Sequence, residues 1–244
     1  MAGKEKPRKL TRQEQVASLN WSDIASGLDT CGYAVIGPLL TPEECHSLTG
    51  AYGDKEPYRS TVVMENRGYG SGEYKYFSYP LPPVVEELRE ILYLFLSGIA
   101  NRWNEAMSID VRYPEDHESF KSHCHAAGQV KPTPLILRYE TCDYNCLHQD
   151  IYGEHVFPLQ VAFLLSEPGR DFSGGEFVLT GQRPRMQSSV EVVPLRQGKG
   201  VIFPVRERPV RGTRGFYRVN MRHGVSRIRS GERFTMGIIF HDAK

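Results

Sequence analysis

His148-Gln149-Asp150 closes a segment of period-two character running from Tyr144. Residues at i and i+2 on an extended strand project to the same side, so one imidazole and one carboxylate are offered together. Two such donors are two thirds of a facial ligand set, in which a second histidine completes one face of an octahedron and the other face stays open. An H-x-D triplet by itself is commonly a polar pair at a strand end, so the third ligand decides. Three later histidines exist: His155, His223 and His241. His155 follows Asp150 too closely to arrive from a separate strand, and His241 lies near the C-terminal end. His223 ends the segment Tyr217–Arg222 and precedes Gly224, which permits a sharp bend. His223 is therefore the expected third ligand.

Arg233 opens the run Arg-Phe-Thr-Met-Gly-Ile, in which Arg233, Thr235 and Gly237 share one strand face. A buried guanidinium with a hydroxyl two residues on makes a fork for a carboxylate. One difficulty attends this pairing: a two-residue turn at Ser230-Gly231 would put His223 and Arg233 on opposite faces, so a bulge or a turn at Gly224 must reset the register. Tyr144 and Cys146 alternate with His148 and are candidates for lining the same pocket. His123-Cys124-His125 has no second pair at ligand spacing, which favours a polar loop over a zinc site.

These residues need strands to hold them. Leu135–Tyr139, Tyr144–Asp150, Leu159–Leu165, Glu176–Leu179, Val190–Pro194, Val201–Phe203, Tyr217–Arg222 and Arg233–Phe240 alternate or are short apolar runs between Gly, Pro and Ser. So many short strands in about a hundred residues imply a sandwich or barrel of jelly-roll type. The first half reads differently. Thr11 with Glu14 spells a capping box, Asp23 to Asp29 a short helix, and Tyr33 to Ile36 a strand. Thr41-Pro42-Glu43-Glu44 is a helix start, and Glu73 to Tyr79 a strand. Val84, Leu88, Ile91, Leu92, Phe95, Ile99 and Trp103 give one long helix from Pro83 to about Met107, and residues 108–133 read as irregular. The expected architecture is mainly β with N-terminal α support. Residues 1–133 form a helical support region and 134–244 the β core, within one domain.

The chain has 244 residues and a formal net charge of +1, which gives no overall pull toward nucleic acid or membrane. Residues 196–233, however, hold ten Arg and one Lys against Glu207 and Glu232, implying one basic face. Five cysteines without a CxxC argue against a disulfide framework and for a reducing cytoplasm. The basic, expectedly frayed first ten residues run into polar sequence rather than an apolar signal core, and the longest apolar run is half a membrane span.

At the H-x-D, distal His and Arg positions the chain resembles the Fe(II)/2-oxoglutarate-dependent dioxygenase superfamily. Leu137-Arg138-Tyr139, ahead of His148, is similar to a strand bearing a cosubstrate-contacting Tyr in its prolyl-hydroxylase and AlkB branches. Gly174-Gly175-Glu176 and the ten-residue step from His223 to Arg233 resemble the prolyl-hydroxylase branch, and Leu147-His148-Gln149-Asp150 resembles AlkB. Over residues 28–244 the chain is similar to a bacterial family of AlkB-related, nucleic-acid-modifying oxygenases, through stretches such as Pro80–Pro83, Cys124–Gly128, Gln182–Gln187, Pro209–Gly215 and Arg222–Ser226. Leu137 departs from AlkB, which has an Asn there, and Phe240 stands where a second Arg would be.

The resemblance implies a double-stranded β-helix, or cupin-like jelly roll. It implies Fe(II) on His148, Asp150 and His223, and 2-oxoglutarate reaching Arg233 with Tyr139 and Thr235. O2 completes the reaction, hydroxylation of a C–H bond. Oxidative demethylation of alkylated nucleic-acid bases is the leading expectation, and hydroxylation of a prolyl or other protein side chain is the alternative. Arg206, Arg208, Arg211 and Arg214, read as a loop before the strand of His223, suit a single-stranded phosphate backbone. Tyr69, Tyr74, Tyr76 and Phe77 are candidates for stacking on a flipped base.

Overall fold

The computed structural model describes residues 10–244, so the expectation for the basic N-terminal stretch lies almost wholly outside the described residues. Two short helices, α1 (Arg12–Ala17) and α2 (Trp21–Thr30), lead to β1 (Ala34–Ile36). Helix α3 (Pro42–Gly50), strands β2 (Tyr58–Val63), β3 (Gly70–Ser71) and β4 (Glu73–Phe77), and the long helix α4 (Pro83–Ala106) follow. Thr11 caps through the reciprocal box with Glu14 that its sequence foretells, and Thr41, expected as an N-cap, forms the same box with Glu44.

Residues 108–133 are not all irregular. Helix α5 (His117–Ala126) runs through them and carries His123-Cys124-His125 on its last turn, correcting the polar-loop expectation. Asp116 starts it by accepting from the Ser119 N–H at 2.8 Å. Its buried stripe is His117, Phe120 and Cys124, so a histidine fills a position where periodicity looks for an apolar residue.

The remaining strands are β5 (Leu135–Tyr139), β6 (Tyr144–His148), β7 (Leu159–Leu164), β8 (Phe172–Gly174) and β9 (Phe177–Gln182). After them come β10 (Ser188–Val193), β11 (Gly200–Pro204), β12 (Glu207–Gly212), β13 (Gly215–Val225), β14 (Ile228–Gly231) and β15 (Arg233–Ile239). They form two facing antiparallel sheets. One has the order β1-β11-β7-β15-β5-β4-β2; the other is β10-β9-β13-β6-β3 with β12 hydrogen-bonded to β13. A small β14-β8 ribbon joins them. The N-terminal half is thus more than helical, because β1, β2 and β4 extend the larger sheet and β3 the smaller.

Period-two alternation divides the larger sheet between two cores. Ile136, Val161, Phe163, Met236 and Ile238 face α4, where Val85, Leu88, Leu92, Leu96 and Trp103 present one helical stripe. Tyr139, Ala162, Leu164 and Phe203 face the second sheet and meet Phe177, Leu179, Met221 and Val225. No helix among the described residues is long and apolar enough to cross a membrane.

Helix α4 is pinned to the end of β15 by a buried charge. Arg89, 1% exposed, donates to the carbonyls of Ile239 and Phe240 at 2.9 and 3.0 Å and to Asp242 Oδ1 at 2.7 Å. Burial alone would raise the Asp242 carboxyl, but Arg89, His125 and Tyr79 outweigh it and hold it below its ordinary value. Removing one member of a buried ion pair leaves the other uncompensated, at a cost of about 3–5 kcal/mol. Arg89→Met should therefore lower the free energy of unfolding by about that amount in urea denaturation. A loss below about 1 kcal/mol, the range of a surface pair, would show that this pair does not secure the helix.

Candidate metal centre

The cavity between the sheets collects the residues singled out from sequence. Tyr139, His148, Asp150, His223, Arg233 and Thr235 all line it. His223 Nε2 is 3.2 Å from Asp150 Oδ2, and His148 Nε2 is 3.5 Å from Asp150 Oδ1. The donor atoms of the three lie within 4.8 Å of one another, and His155 and His241 are outside the group. His241 instead accepts the Phe157 N–H through Nδ1 at 3.3 Å.

The local chain explains this convergence. His223 pairs with His148 across β13 and β6, and the next pairing is Val225 with Asn145, so Cys146 and Leu147 together face Gly224. That bulge turns Asn145 and His148 to the same side. It needs glycine at 224, where a Cβ would stand 2.7 Å from the Asn145 carbonyl oxygen. Tyr144 and Cys146 accordingly do not line the cavity, contrary to the alternation argument; Asn145 does, and its amide donates to the Tyr139 hydroxyl at 3.1 Å. The mismatch between His223 and Arg233 is resolved by β14, which leaves the smaller sheet and lets β15 enter the larger one. The two residues therefore approach the cavity from opposite walls.

The donor set fits a cation. His148 Nδ1 is 2.8 Å from the Cys146 carbonyl, which can only accept, so Nδ1 carries a proton and Nε2 is the nitrogen turned to the Asp150 carboxylate. Two electron-rich groups so placed need a proton or a metal between them. Ligands about 2.1 Å from an ion on one octahedral face lie about 3.0 Å apart, close to the separations above. Burial opposes charge on Asp150, yet His223 and His148 outweigh it and keep the carboxyl well below its ordinary range. Burial likewise pulls the His148 imidazole down, and its bond to Asp150 more than reverses this. His223 is lowered by burial and by His148, and its Nδ1 is buried without a partner.

Arg233 lies in the same cavity, 1% exposed. It donates to Thr235 Oγ1, while its Nε has no partner. Glu176, the acid whose charge it feels, is bonded to the Ser226 hydroxyl. Burial draws the guanidinium down to about 10, still charged at neutral pH, beside the rings of Tyr139 and Phe172 at 5.6 and 5.7 Å. A buried cation with an open donor is a receptor for an anion.

Three further residues escaped the sequence reading. Gln160, 3% exposed, lines the cavity with its Nε2 unpartnered; a lone amide in the apolar run Leu159–Leu164 was the available signal. Tyr152 donates to Asp150 Oδ1 at 2.9 Å, and burial together with Asp150 pushes its phenol upward, so it stays a donor. Gln149, between the two expected ligands, donates to Asn220 Oδ1 and the Met221 carbonyl, each at 2.8 Å, and to the Arg206 carbonyl at 3.3 Å.

The arginine segment is a hairpin, β12–β13, rather than a loop. Arg206, Arg211 and Arg214 are exposed on it. Arg208 is not available to a ligand, because it donates to the carbonyls of Asp29 and Thr30 at the C-terminal end of α2, at 2.6 and 3.1 Å. Arg183 joins the exposed set, stacked 4.2 Å over Tyr217 in a groove that includes Arg211, Arg214 and Phe216. Among the proposed stacking aromatics, Phe77 is core, packed on Tyr58, and Tyr76 is buried against Tyr74 and Tyr152. Tyr69 is open to solvent.

Residues 72–243 match the family Oxygenase-NA, described as oxygenases catalysing oxidative methylation of damaged DNA. An uncharacterized protein of Mycobacterium tuberculosis, found in two strains, is 46% identical over 197 residues, covering 81% of this chain and 79% of its own. Among solved structures, an oxidoreductase of the 2OG-Fe(II) oxygenase family from Burkholderia pseudomallei superposes with a TM-score of 0.55 at 14% identity, over 93% of each chain. A collagen prolyl hydroxylase of Paramecium bursaria Chlorella virus 1 superposes with a TM-score of 0.50 at 18% identity, over 86% of this chain and 96% of that one. At such identities the likeness is one of fold, and the fold is the double-stranded β-helix jelly roll.

His148→Ala, Asp150→Ala and His223→Ala should each abolish binding of Fe(II) at micromolar concentration in anaerobic calorimetry, since two donors do not hold a labile divalent ion. His155→Ala and His241→Ala should bind as the parent does. Loss of metal in His241→Ala alone would reassign the third ligand.

Proposed function

Because the chain belongs to the Oxygenase-NA family of oxygenases, we propose that it is an Fe(II)- and 2-oxoglutarate-dependent oxygenase that removes methyl groups from damaged DNA bases, presented as single strand. The observation that carries the proposal is the pairing, in one cavity, of a cation-demanding triad with a buried, incompletely bonded arginine. His148, Asp150 and His223 would hold the iron. Bound there with 2-oxoglutarate and O2, it would supply hydroxylation of a C–H bond, with the cosubstrate leaving as succinate and CO2. An oxygenase attacks the methyl carbon itself, so a hydroxylated N-methyl group is lost as formaldehyde and the base is restored.

The protein's own part is placement. Arg233, with Thr235 and Tyr139, receives the distal carboxylate of the diacid and so sets the position of its keto end. Apolar Leu135, Leu137, Val161 and Ala162 exclude water from the reacting end. Arg183, Arg206, Arg211 and Arg214 offer exposed guanidinium groups to phosphates, and the exposed Phe216 offers a face on which a base stacks. Five free cysteines suit the reducing cytoplasm in which such repair works.

Arg233→Ala should leave Fe(II) binding intact and raise the KM for 2-oxoglutarate, since truncating one member of a buried charge pair costs about 2–5 kcal/mol. Arg229→Ala, exposed on β14, is the control. Equal effects from the two would remove Arg233 from the anion site.

A single-stranded oligonucleotide carrying one N-methylated base should couple succinate to formaldehyde release. Its affinity should fall with salt at a log–log slope of about 0.7 per phosphate neutralised. Arg211→Ala with Arg214→Ala should flatten that slope without changing 2-oxoglutarate turnover in the absence of DNA. Absence of nucleic-acid binding, with turnover stimulated instead by a proline-containing peptide, would transfer the activity to protein hydroxylation.

A further inference from the structure

Asp150 lies two residues past the end of β6, outside any strand pairing, so no ladder fixes its carboxylate. Side-chain neighbours must do so. Oδ2 faces His223, whereas Oδ1 faces His148 and also accepts the hydrogen bond from Tyr152. Tyr152 is the one neighbour of Asp150 in this set that is a neutral donor and not a metal-ligand type.

Tyr152 is itself held from behind. Gln129, fully buried, accepts the backbone N–H groups of Glu154 and His155 on Oε1 at 2.9 and 2.7 Å. Through Nε2 it reaches the carbonyls of Tyr152, His155 and Asp242 at 3.2, 3.1 and 2.6 Å. Gly153, at φ +93°, packs closely against this amide; a Cβ there would be 2.5 Å from Gln129 Cδ. The segment after the H-x-D triplet is therefore moulded on one side chain. Gln129 takes its place from α5, bonding its own N–H to the Cys124 carbonyl at 2.9 Å. Tyr76 and His241 close the ring of Tyr152 on its other sides, with centroids 6.3 and 6.2 Å away.

We propose that Tyr152 is a positioning residue for the metal: its hydroxyl, set in place by Gln129, fixes the Asp150 carboxylate in the orientation that presents it to an ion held with His148 and His223. The role rests on the metal reading above and extends it. An outer partner of this kind restricts the rotamer of a ligand and tunes its basicity. It also occupies one carboxylate oxygen, which favours a single oxygen for the ion.

The test uses the full chain and metal alone, without cosubstrate, so that it reads binding rather than turnover. Anaerobic Fe(II) titration gives the affinity, and Co(II) titration adds the visible ligand-field bands. Tyr152→Phe removes one oxygen atom and should weaken both ions about 10–100-fold. The Co(II) bands should shift, while the thermal midpoint of the metal-free protein stays within a degree or two of the parent. Gln129→Leu should weaken the ions to a similar extent. The double variant should be no weaker than the weaker single one, because Gln129 acts through Tyr152. Parental affinity and spectrum in Tyr152→Phe would overturn the positioning role, and multiplying losses in the double variant would remove Gln129 from it. Failure of the parent chain to bind either ion would overturn the metal reading itself, and the proposal with it.

Discussion

The carboxylate of Asp150 sits within 3.5 Å of two imidazole nitrogens. Attraction between carboxylate and imidazoles does not by itself fix their orientation, and the fold supplies what does. The bulge opposite Gly224 turns His148 inward, the pairing of β13 with β9 and β6 fixes His223, and the loop moulded on Gln129 confines Asp150. Each constraint comes from a different part of the chain. A site assembled in this way keeps its geometry because both sheets and α5 resist its relaxation, in addition to the attraction of the carboxylate for the two imidazoles.

Much of this was legible in the sequence. The convergence of His148, Asp150 and His223, an arginine on a second strand, the capping box of α1 and the helix start of α3 all follow from residue type and spacing, because they depend on local backbone period. What stayed hidden depends on tertiary pairing. A bulge adds one residue to a strand without any mark in composition, so Asn145 replaced Tyr144 and Cys146 at the cavity. Helix α5 was masked by a histidine in its buried stripe. Strand β12 was masked by its arginines, whose charge reads as loop until the hairpin partner is known.

The arginines illustrate how little residue type alone determines. Arg89 is buried and fully partnered, and secures a helix to a sheet. Arg208 is half-buried and closes the carbonyl end of another helix. Arg233 is buried in the cavity wall with one hydroxyl as its hydrogen-bond acceptor and its Nε unpartnered, a condition that suits an anion. Arg211 and Arg214 are exposed and free to meet a polyanion. Desolvation and the count of acceptors already supplied, not formal charge, separate these four uses.

Gln149 has a mechanical consequence. Its amide, seated between His148 and Asp150, clasps the base of the β12–β13 hairpin at the Arg206 and Met221 carbonyls. The hairpin runs from there to its turn over roughly 20–27 Å at strand rise. It is a lever whose fulcrum lies inside the H-x-D triplet, with Arg208 strapping its side to α2. A displacement of the hairpin base is therefore applied, through one amide, to the backbone between His148 and Asp150. By thermodynamic linkage the converse holds as well: whatever displaces the two candidate donors displaces the hairpin base to which Gln149 is bonded.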